Sequence, residues 1–328
     1  MTKSPLKGLR SRAHERMDMI NQLPDAVLSH IISSLPVDEA VRSSVLSKRW
    51  KPLWKHASCL DFNVSRMIKP LSQLENSSSR KVSRDQIKAT QQYAHRYARF
   101  VYQILLHHLG DLITCRFRHF PQSISIGEVK KWVEFVILKK GLSSLILECE
   151  RFIEKIDDTF LDTSRDVKIN FKPRIFLNLC SLELTNYALD SLASSAFEGC
   201  EKLKILKLRN VLMDDENVNG ILGNCMCLEK FTSIESSGFK KLKILYSSLK
   251  ILELQWLMVD EIEVVAKNLQ AVVIVSLICP PKGLRIFAPN LKSFHSSCNA
   301  ICRIVQASHS KKHVLKTQDI LENCSDLL

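Results

Sequence analysis

The chain has 328 residues, 45 % of them hydrophobic, enough for one large core or for a small unit joined to an elongated one, and two units are expected. Its 9 glycines, with no GxGxxG or GxxxxGK(S/T) string, argue against an enzyme built on phosphate-cradling loops. The formal net charge of +13 sits at the front: residues 1–110 carry 18 Lys and Arg against 8 Asp and Glu, and residues 111–328 carry 29 against 26.

Much of that front charge belongs to Lys3, Lys7, Arg10, Arg12 and Arg16 and to Arg80, Lys81 and Arg84. It reads as solvated charge, although a basic balance is also what a nucleic-acid surface needs. The 11 cysteines are odd in number and scattered from Cys59 to Cys324, which points to buried thiols in a reducing compartment. Cys225/Cys227 and Cys298/Cys302 lack His or further Cys at zinc-ligand distances, so no metal site is expected. The longest apolar run, Leu269–Pro281, is too short to span a bilayer, and the N-terminus is charged where a signal peptide would be apolar. A soluble protein of the cytoplasm or nucleus with no membrane partner is the expectation.

Residues 1–17 form a basic tail without periodicity, for which no fixed structure is expected. From Leu23 the pattern changes. Pro24 and Asp25 suit a first helical turn, and Val27, Leu28, Ile31, Ile32 and Leu35 make one apolar helical face that Pro36 ends. A second short helix presents Val41, Val45 and Leu46, and Ser47 caps a third carrying Trp50, Leu53 and Trp54. A unit this small rarely draws more than about 3–5 kcal/mol from burial without disulfides or metal. Its leftover Trp and Leu therefore either form an exposed interaction patch or pack against the rest of the chain.

Residues 63–84 read as a flexible polar linker. Asp85–His108 then carries Tyr93, Tyr97, Phe100, Val101, Ile104 and Leu105 at helical spacing: a connecting amphipathic helix closed by Gly110, its aromatic stripe belonging to the core. Beyond it the template LxxLxL recurs from Leu112, Leu142, Leu179, Leu203, Leu228, Leu249, Leu269 and Leu291. The last five steps, of 24, 25, 21, 20 and 22 residues, fit the leucine-rich-repeat period of about 20–29, and the earlier steps of 30 and 37 imply extra loops or helices. Each template predicts a strand and each spacer a helix or turn on the opposite side, giving an arc with a parallel sheet. The consensus Asn or Cys three residues past the template is replaced by Tyr187, Val211, Ser236 and Leu257, so no asparagine ladder is expected. An ordinary α/β stack with irregular strands is the alternative.

The segment LPDAVLSHIISSLPVDEAVRSSVLSKRWKPLWKHASCLDFN, Leu23–Asn63, resembles an F-box of the plant leucine-rich-repeat type. The resemblance is carried by Leu23-Pro24-Asp25, the Leu35-Pro36 break, the run from Ala40 to Trp50, Leu53-Trp54 and Leu60-Asp61-Phe62. Downstream, NCMCLEKF (Asn224–Phe231) is similar to the family's repeat-closing segment without its usual Pro, and APNLKSF (Ala288–Phe294) to its last repeats. The implied fold is α/β: a small N-terminal three-helix F-box at residues 18–62, then an irregular leucine-rich-repeat solenoid with a parallel sheet at 111–328.

The implied function is that of a substrate-recognition subunit of a Skp–cullin–F-box ubiquitin ligase. The F-box would bind a Skp-type adaptor, and through it a cullin, while the repeats hold a target protein. Family matching places Leu23, Pro24, Leu28, Ile31, Leu35, Pro36, Val45, Leu46 and Trp50 at or beneath the adaptor interface, without dividing interface from internal core. Target contacts are nominated between the strand leucines at Lys204, Lys207, Arg209, Lys250, Glu253 and Gln255. No catalytic residue or cofactor is required. The cysteines lie at repeat boundaries, His107/His108 end a helix, His119 and His295 stand alone near strand ends, and the acidic MDDE and VDEIE segments read as solvated spacers. Two rivals stay open: a repeat scaffold without ligase association, and a basic nucleic-acid binder, the latter disfavoured because its basic residues lack interleaved aromatics. Whether the polar end, HSKKHVLKTQDILENCSDLL, closes a complete short member or a truncated product is also open, as is a small-molecule ligand in the repeats.

Overall fold

The computed structural model describes residues 20, 22–67, 84–150, 153–156, 159–162, 168–280, 282–297 and 303–305. The expected basic tail, most of the expected linker and the polar C-terminal segment, with Cys298, Cys302 and Cys324, lie outside the described residues.

Helix α1 (Asp25–Ser33) follows Pro24, and α2 (Val37–Arg42) follows Pro36, each proline sitting where a missing N–H costs nothing. The expected third helix takes 3-10 form, not α. Ser43–Val45 and Leu53–His56 are short 3-10 turns, with Ser47 Oγ accepting from the Trp50 N–H at 3.4 Å. Pro52 is the physical reason: it supplies no N–H for the i→i−4 ladder and restricts the residue before it. Strand β1 (Cys59–Asn63) and the one-turn α3 (Val64–Met67) come next, so the start of the expected linker is structured. Then follow α4 (Arg84–His107), β2 (Thr114–His119), α5 (Pro121–Ser125) and α6 (Glu128–Lys140). Gly110 is not a left-handed cap: an added Cβ would meet the His56 backbone at 3.3 Å, so glycine serves a close approach there.

Strand β3 (Ser144–Cys149), the antiparallel pair β4 (Ile153–Ile156) and β5 (Thr159–Asp162), and β6 (Lys168–Ile169) lead to the long strands β7 (Ser181–Leu189) and β8 (Ile205–Leu212). Helix α7 (Asp215–Asn224) is capped by Asp214, which accepts from the Asn217 N–H at 2.8 Å. The remaining strands are β9 (Lys230–Ile234), β10 (Lys241–Ile244), β11 (Ile251–Gln255), β12 (Glu261–Val265), β13 (Ala271–Val275), β14 (Leu284–Phe287), β15 (Ser293–Ser297) and β16 (Arg303–Val305).

All eight LxxLxL templates become parallel strands of one sheet, in the order β1-β2-β3-β7-β8-β9-β11-β13-β15, with β6 beside β7. Strand β1 extends the sheet to include the end of the F-box-like segment. The template leucines and their equivalents, such as Leu182/Leu184, Leu206/Leu208 and Leu252/Leu254, are buried on one face, as the period of two requires.

Two expectations about the repeats are corrected. The last spacers are strands, not helices: β10, β12, β14 and β16 form a second parallel sheet. Their sequences, KLKI, EIEVV and LRIF, alternate apolar with polar and bury every second residue. An asparagine ladder is also present, one residue earlier than the consensus spacing. Asn186 and Asn210 are buried, with Asn210 donating to the Asn186 side chain at 2.9 Å and Asn186 donating to the Cys149 carbonyl at 2.7 Å. Each stands at a strand bend in left-handed backbone, φ 61° and 50°, a conformation Asn tolerates better than most residues. The bend continues without Asn through Glu235, Trp256 and Ser276, at φ 54°, 56° and 50°.

The core runs without a break from α1 to the last repeats. Phe62 of β1 stacks on Phe117 of β2 at 5.0 Å, Phe117 on Trp132 of α6 at 5.5 Å, and Trp132 meets Tyr97 of α4 edge-on at 5.6 Å. Tyr97, Val101, Ile104 and Leu105 are buried and Tyr93 and Phe100 pack against them, so the aromatic stripe is core as expected.

Candidate functional site

Two surfaces have residues without an internal task. The first lies on the N-terminal helices. The structure divides the nine nominated residues: Leu28 and Trp50 are buried; Leu23, Leu35 and Pro36 are half-buried; Pro24, Ile31, Val45 and Leu46 are exposed. Trp50 and Trp54 both pack inside this chain, so the tryptophans are not a leftover surface patch. The exposed apolar side chains are instead Val45 at 84 % and Leu46 at 63 %, with Ile31 and the unnominated Ile20 and Val27. Val27 precedes Ile31 by one helical turn, a signal present in the spacing. The segment is pinned from both ends. Arg49 pairs with Asp25 at 2.6 Å and donates to the Leu23 carbonyl at 2.5 Å, and Arg66 pairs with Asp38 at 3.3 Å and with Glu39.

The second surface is the outward face of the large sheet. Register aligns its residues in rows across the strands. One row reads Asp61, Arg116, Ile146, Glu183, Lys207, Thr232, Glu253, Val273, His295, and the next Asn63, Arg118, Glu148, Thr185, Arg209, Ile234, Gln255, Val275, Ser297. Towards β1 the rows are ionic. Arg118 pairs with Glu148 at 2.9 Å and Lys207 with Glu183 at 2.9 Å, and Asp61 lies 3.9 Å from Arg116. Burial raises the Asp61 pKa despite the neighbouring Arg116 and Arg118. Towards β13 they become apolar, with Ile234, Val273 and Val275 half-buried.

Four of the six nominated target residues, Lys207, Arg209, Glu253 and Gln255, stand on this face. Lys204 and Lys250 instead precede β8 and β11 and share Glu229, at 3.1 Å and 2.6 Å, which holds that carboxylate below its ordinary pKa. Glu253 is also engaged, accepting from Thr232 at 3.3 Å and from Gln255 at 2.5 Å. Arg209 has no acidic partner among the described residues. Trp256, outside the nominated set, is 59 % exposed beside Gln255, its N–H bonded to the Val275 carbonyl at 2.8 Å.

His108 and His119 serve packing. His119 is buried; its Nδ1–H donates to the Phe120 carbonyl at 2.8 Å, so Nε2 accepts from the Tyr187 hydroxyl. Burial lowers its pKa to about 4. His108 donates to the Ala57 carbonyl at 2.8 Å and its pKa is likewise lowered by burial. No cluster of three metal-ligating side chains occurs among the described residues, and none of their helices is long and apolar enough to cross a membrane.

The family model for the F-box domain matches residues 20–61, and that for the leucine-rich repeats of FBD-associated F-box protein At5g56370 matches residues 134–316. The chain is similar to F-box protein At1g80960 of Arabidopsis thaliana, 30 % identical over 85 % of this chain and 53 % of that one. It is similar to F-box protein At3g60790, 28 % identical over 85 % and 52 %, and to F-box/LRR-repeat protein 13, 25 % identical over 73 % and 46 %, both from the same plant. The chain thus spans about half the length of the curated relatives it matches. No solved structure matches it significantly. An F-box joined to a parallel repeat sheet, with both segments matched by their family models, makes this chain a member of the plant-type F-box/leucine-rich-repeat family.

Proposed function

We propose that this chain is a non-catalytic substrate receptor of a Skp–cullin–F-box ubiquitin ligase, with its F-box in residues 18–62 and its target-binding repeats in 111–328. One observation carries the reading. Leu28 and Trp50 fill the interior of the N-terminal helices, yet Ile31, Val45 and Leu46 remain in solvent, where exposed apolar side chains mark an interaction site. A Skp-type adaptor would cover them. Cullin recruitment follows through the adaptor, and target transfer needs only a held target, because tethering on one scaffold raises effective concentration to about the millimolar range. The pairing of Arg118, Lys207, Lys204 and Lys250 with acids weighs against a nucleic-acid binder. A compartment shared with the ligase, cytoplasm or nucleus, belongs to the same proposal.

The test is titration of the full chain with a purified plant Skp-type adaptor. Wild type is expected to bind, and Val45→Asp with Leu46→Asp to weaken binding at least tenfold while circular dichroism and melting stay unchanged. An adaptor that ignores wild type, or binds both forms equally, overturns the proposal.

A further inference from the structure

A bend within β7 and β8 and just past β9, β11 and β13 puts five residues in left-handed backbone, and four of them, Asn186, Asn210, Glu235 and Ser276, are short or polar. Trp256 is the exception. A bulky aromatic in this conformation is a genuine outlier and carries local strain. Its side chain gains little burial in return, being 59 % exposed and without a ring partner among the described residues. Such an outlier is what a binding function would retain, since Trp dominates the energetics of protein interfaces.

The surroundings specify what would bind. Ile234 and Val275 flank Gln255 in one outward row and give an apolar floor, and the exposed Trp256 follows Gln255 at the end of the strand. Arg209 continues that row on β8, two strands from Trp256, and is exposed. Every other cation discussed on this face has an acid within ion-pair reach, namely Lys207, Arg116 and Arg118; Arg209 has none among the described residues. An unpaired guanidinium beside an apolar floor fits a carboxylate beside an apolar side chain. Two inter-strand steps span about 10 Å, and an extended chain covers about 3.3 Å per residue, so the two groups should lie about three residues apart in the ligand.

We propose that Trp256, Ile234, Val275 and Arg209 form a recognition site for an extended peptide segment carrying an aromatic or aliphatic anchor about three residues from an Asp or Glu. This rests on the reading of the repeats as the target-binding part, and it names the chemistry of the target.

The test uses the full chain and a displayed library of random peptides. Wild type is expected to enrich peptides with an apolar residue and an acid at that spacing. A synthetic peptide of the enriched sequence should lose at least tenfold in affinity for Trp256→Asn, which relieves the strained backbone and so keeps or raises the melting temperature. Arg209→Glu should shift the enriched acid to Lys or Arg. Failure to enrich any peptide, an enriched sequence without an acid, or unchanged affinity in both variants overturns the proposal. Adaptor titration of the same variants reads the ligase assignment separately, since neither residue is on the N-terminal helices.

Discussion

At the scale of single residues, His119 shows how a buried polar group constrains the fold. Its two ring nitrogens are bonded to the Phe120 carbonyl and the Tyr187 hydroxyl, and full burial disfavours the charged ring. Folded, it stays neutral down to about pH 4; unfolded, it takes a proton near pH 6.5. The stability this provides is present above pH 6.5 and is lost as pH falls towards 4, at about 1.4 kcal/mol per unit, so unfolding free energy at pH 5 should be about 2 kcal/mol below that at pH 7. His108, also lowered by burial, acts in the same direction. Denaturant melts at the two pH values check this, with His119→Gln expected to reduce the difference. Tyr187→Phe leaves Nε2 buried without its donor and should cost about 1–3 kcal/mol at pH 7. The ladder offers a second residue-scale test. Asn210→Ala should cost about 2 kcal/mol from the lost hydrogen bond and the left-handed backbone, and Asn210→Gly less, because glycine keeps the conformation. Equal losses would show that the backbone contributes nothing.

At the scale of elements, the N-terminal helices separate interior from surface on a single turn. Leu28 and Ile31 are three residues apart in α1, yet one is fully buried and the other exposed. Leu28→Ala should cost about 2–5 kcal/mol, as cavity-forming changes do, and reduce adaptor binding only through unfolding. Ile31→Ser should leave stability within about 0.5 kcal/mol and act on binding directly. Melting and adaptor titration of the two variants distinguish these routes. The spacers show a parallel contrast. The 25-residue step after Leu203 holds the ten-residue helix α7, whereas the steps of 20 to 22 residues that follow hold only four- or five-residue strands. A short spacer reaches the next strand only by crossing the back of the arc in extended form.

At the scale of the molecule, the N-terminal helices and the repeats share one core. The small unit, too poor in burial to stand alone, completes its interior first with this same chain: β1 pairs with β2, and Phe62 stacks on Phe117. A fragment of residues 18–62 should therefore be unfolded by circular dichroism without the rest of the chain. Trp132, central to the aromatic stack yet distant in sequence from α1, should couple the two parts. Trp132→Ala is expected to cost about 3–5 kcal/mol. Hydrogen exchange should then show amides of both α1 and β2 losing protection together; loss confined to β2 would mean the parts unfold independently.

The repeating leucines, the two helix-opening prolines and the F-box-like segment were legible in the sequence because they are local: period, proline chemistry and spacing act within a few residues of each other. They determined eight parallel strands in order, the first two helices and the family. Tertiary structure alone decided the rest. The third helix took 3-10 form around Pro52, and the short spacers became a second sheet. The ladder shifted by one residue because the strand bend falls at Asn186 and Asn210, while their consensus-spaced neighbours Tyr187 and Val211 belong to the hydrophobic core. The division of Leu28 and Trp50 from Ile31, Val45 and Leu46, and the pairing that leaves Arg209 and Trp256 exposed, depend on what other segments bring against each side chain. Helical and strand periods say which residues share a face; only the packed neighbours say whether that face is covered.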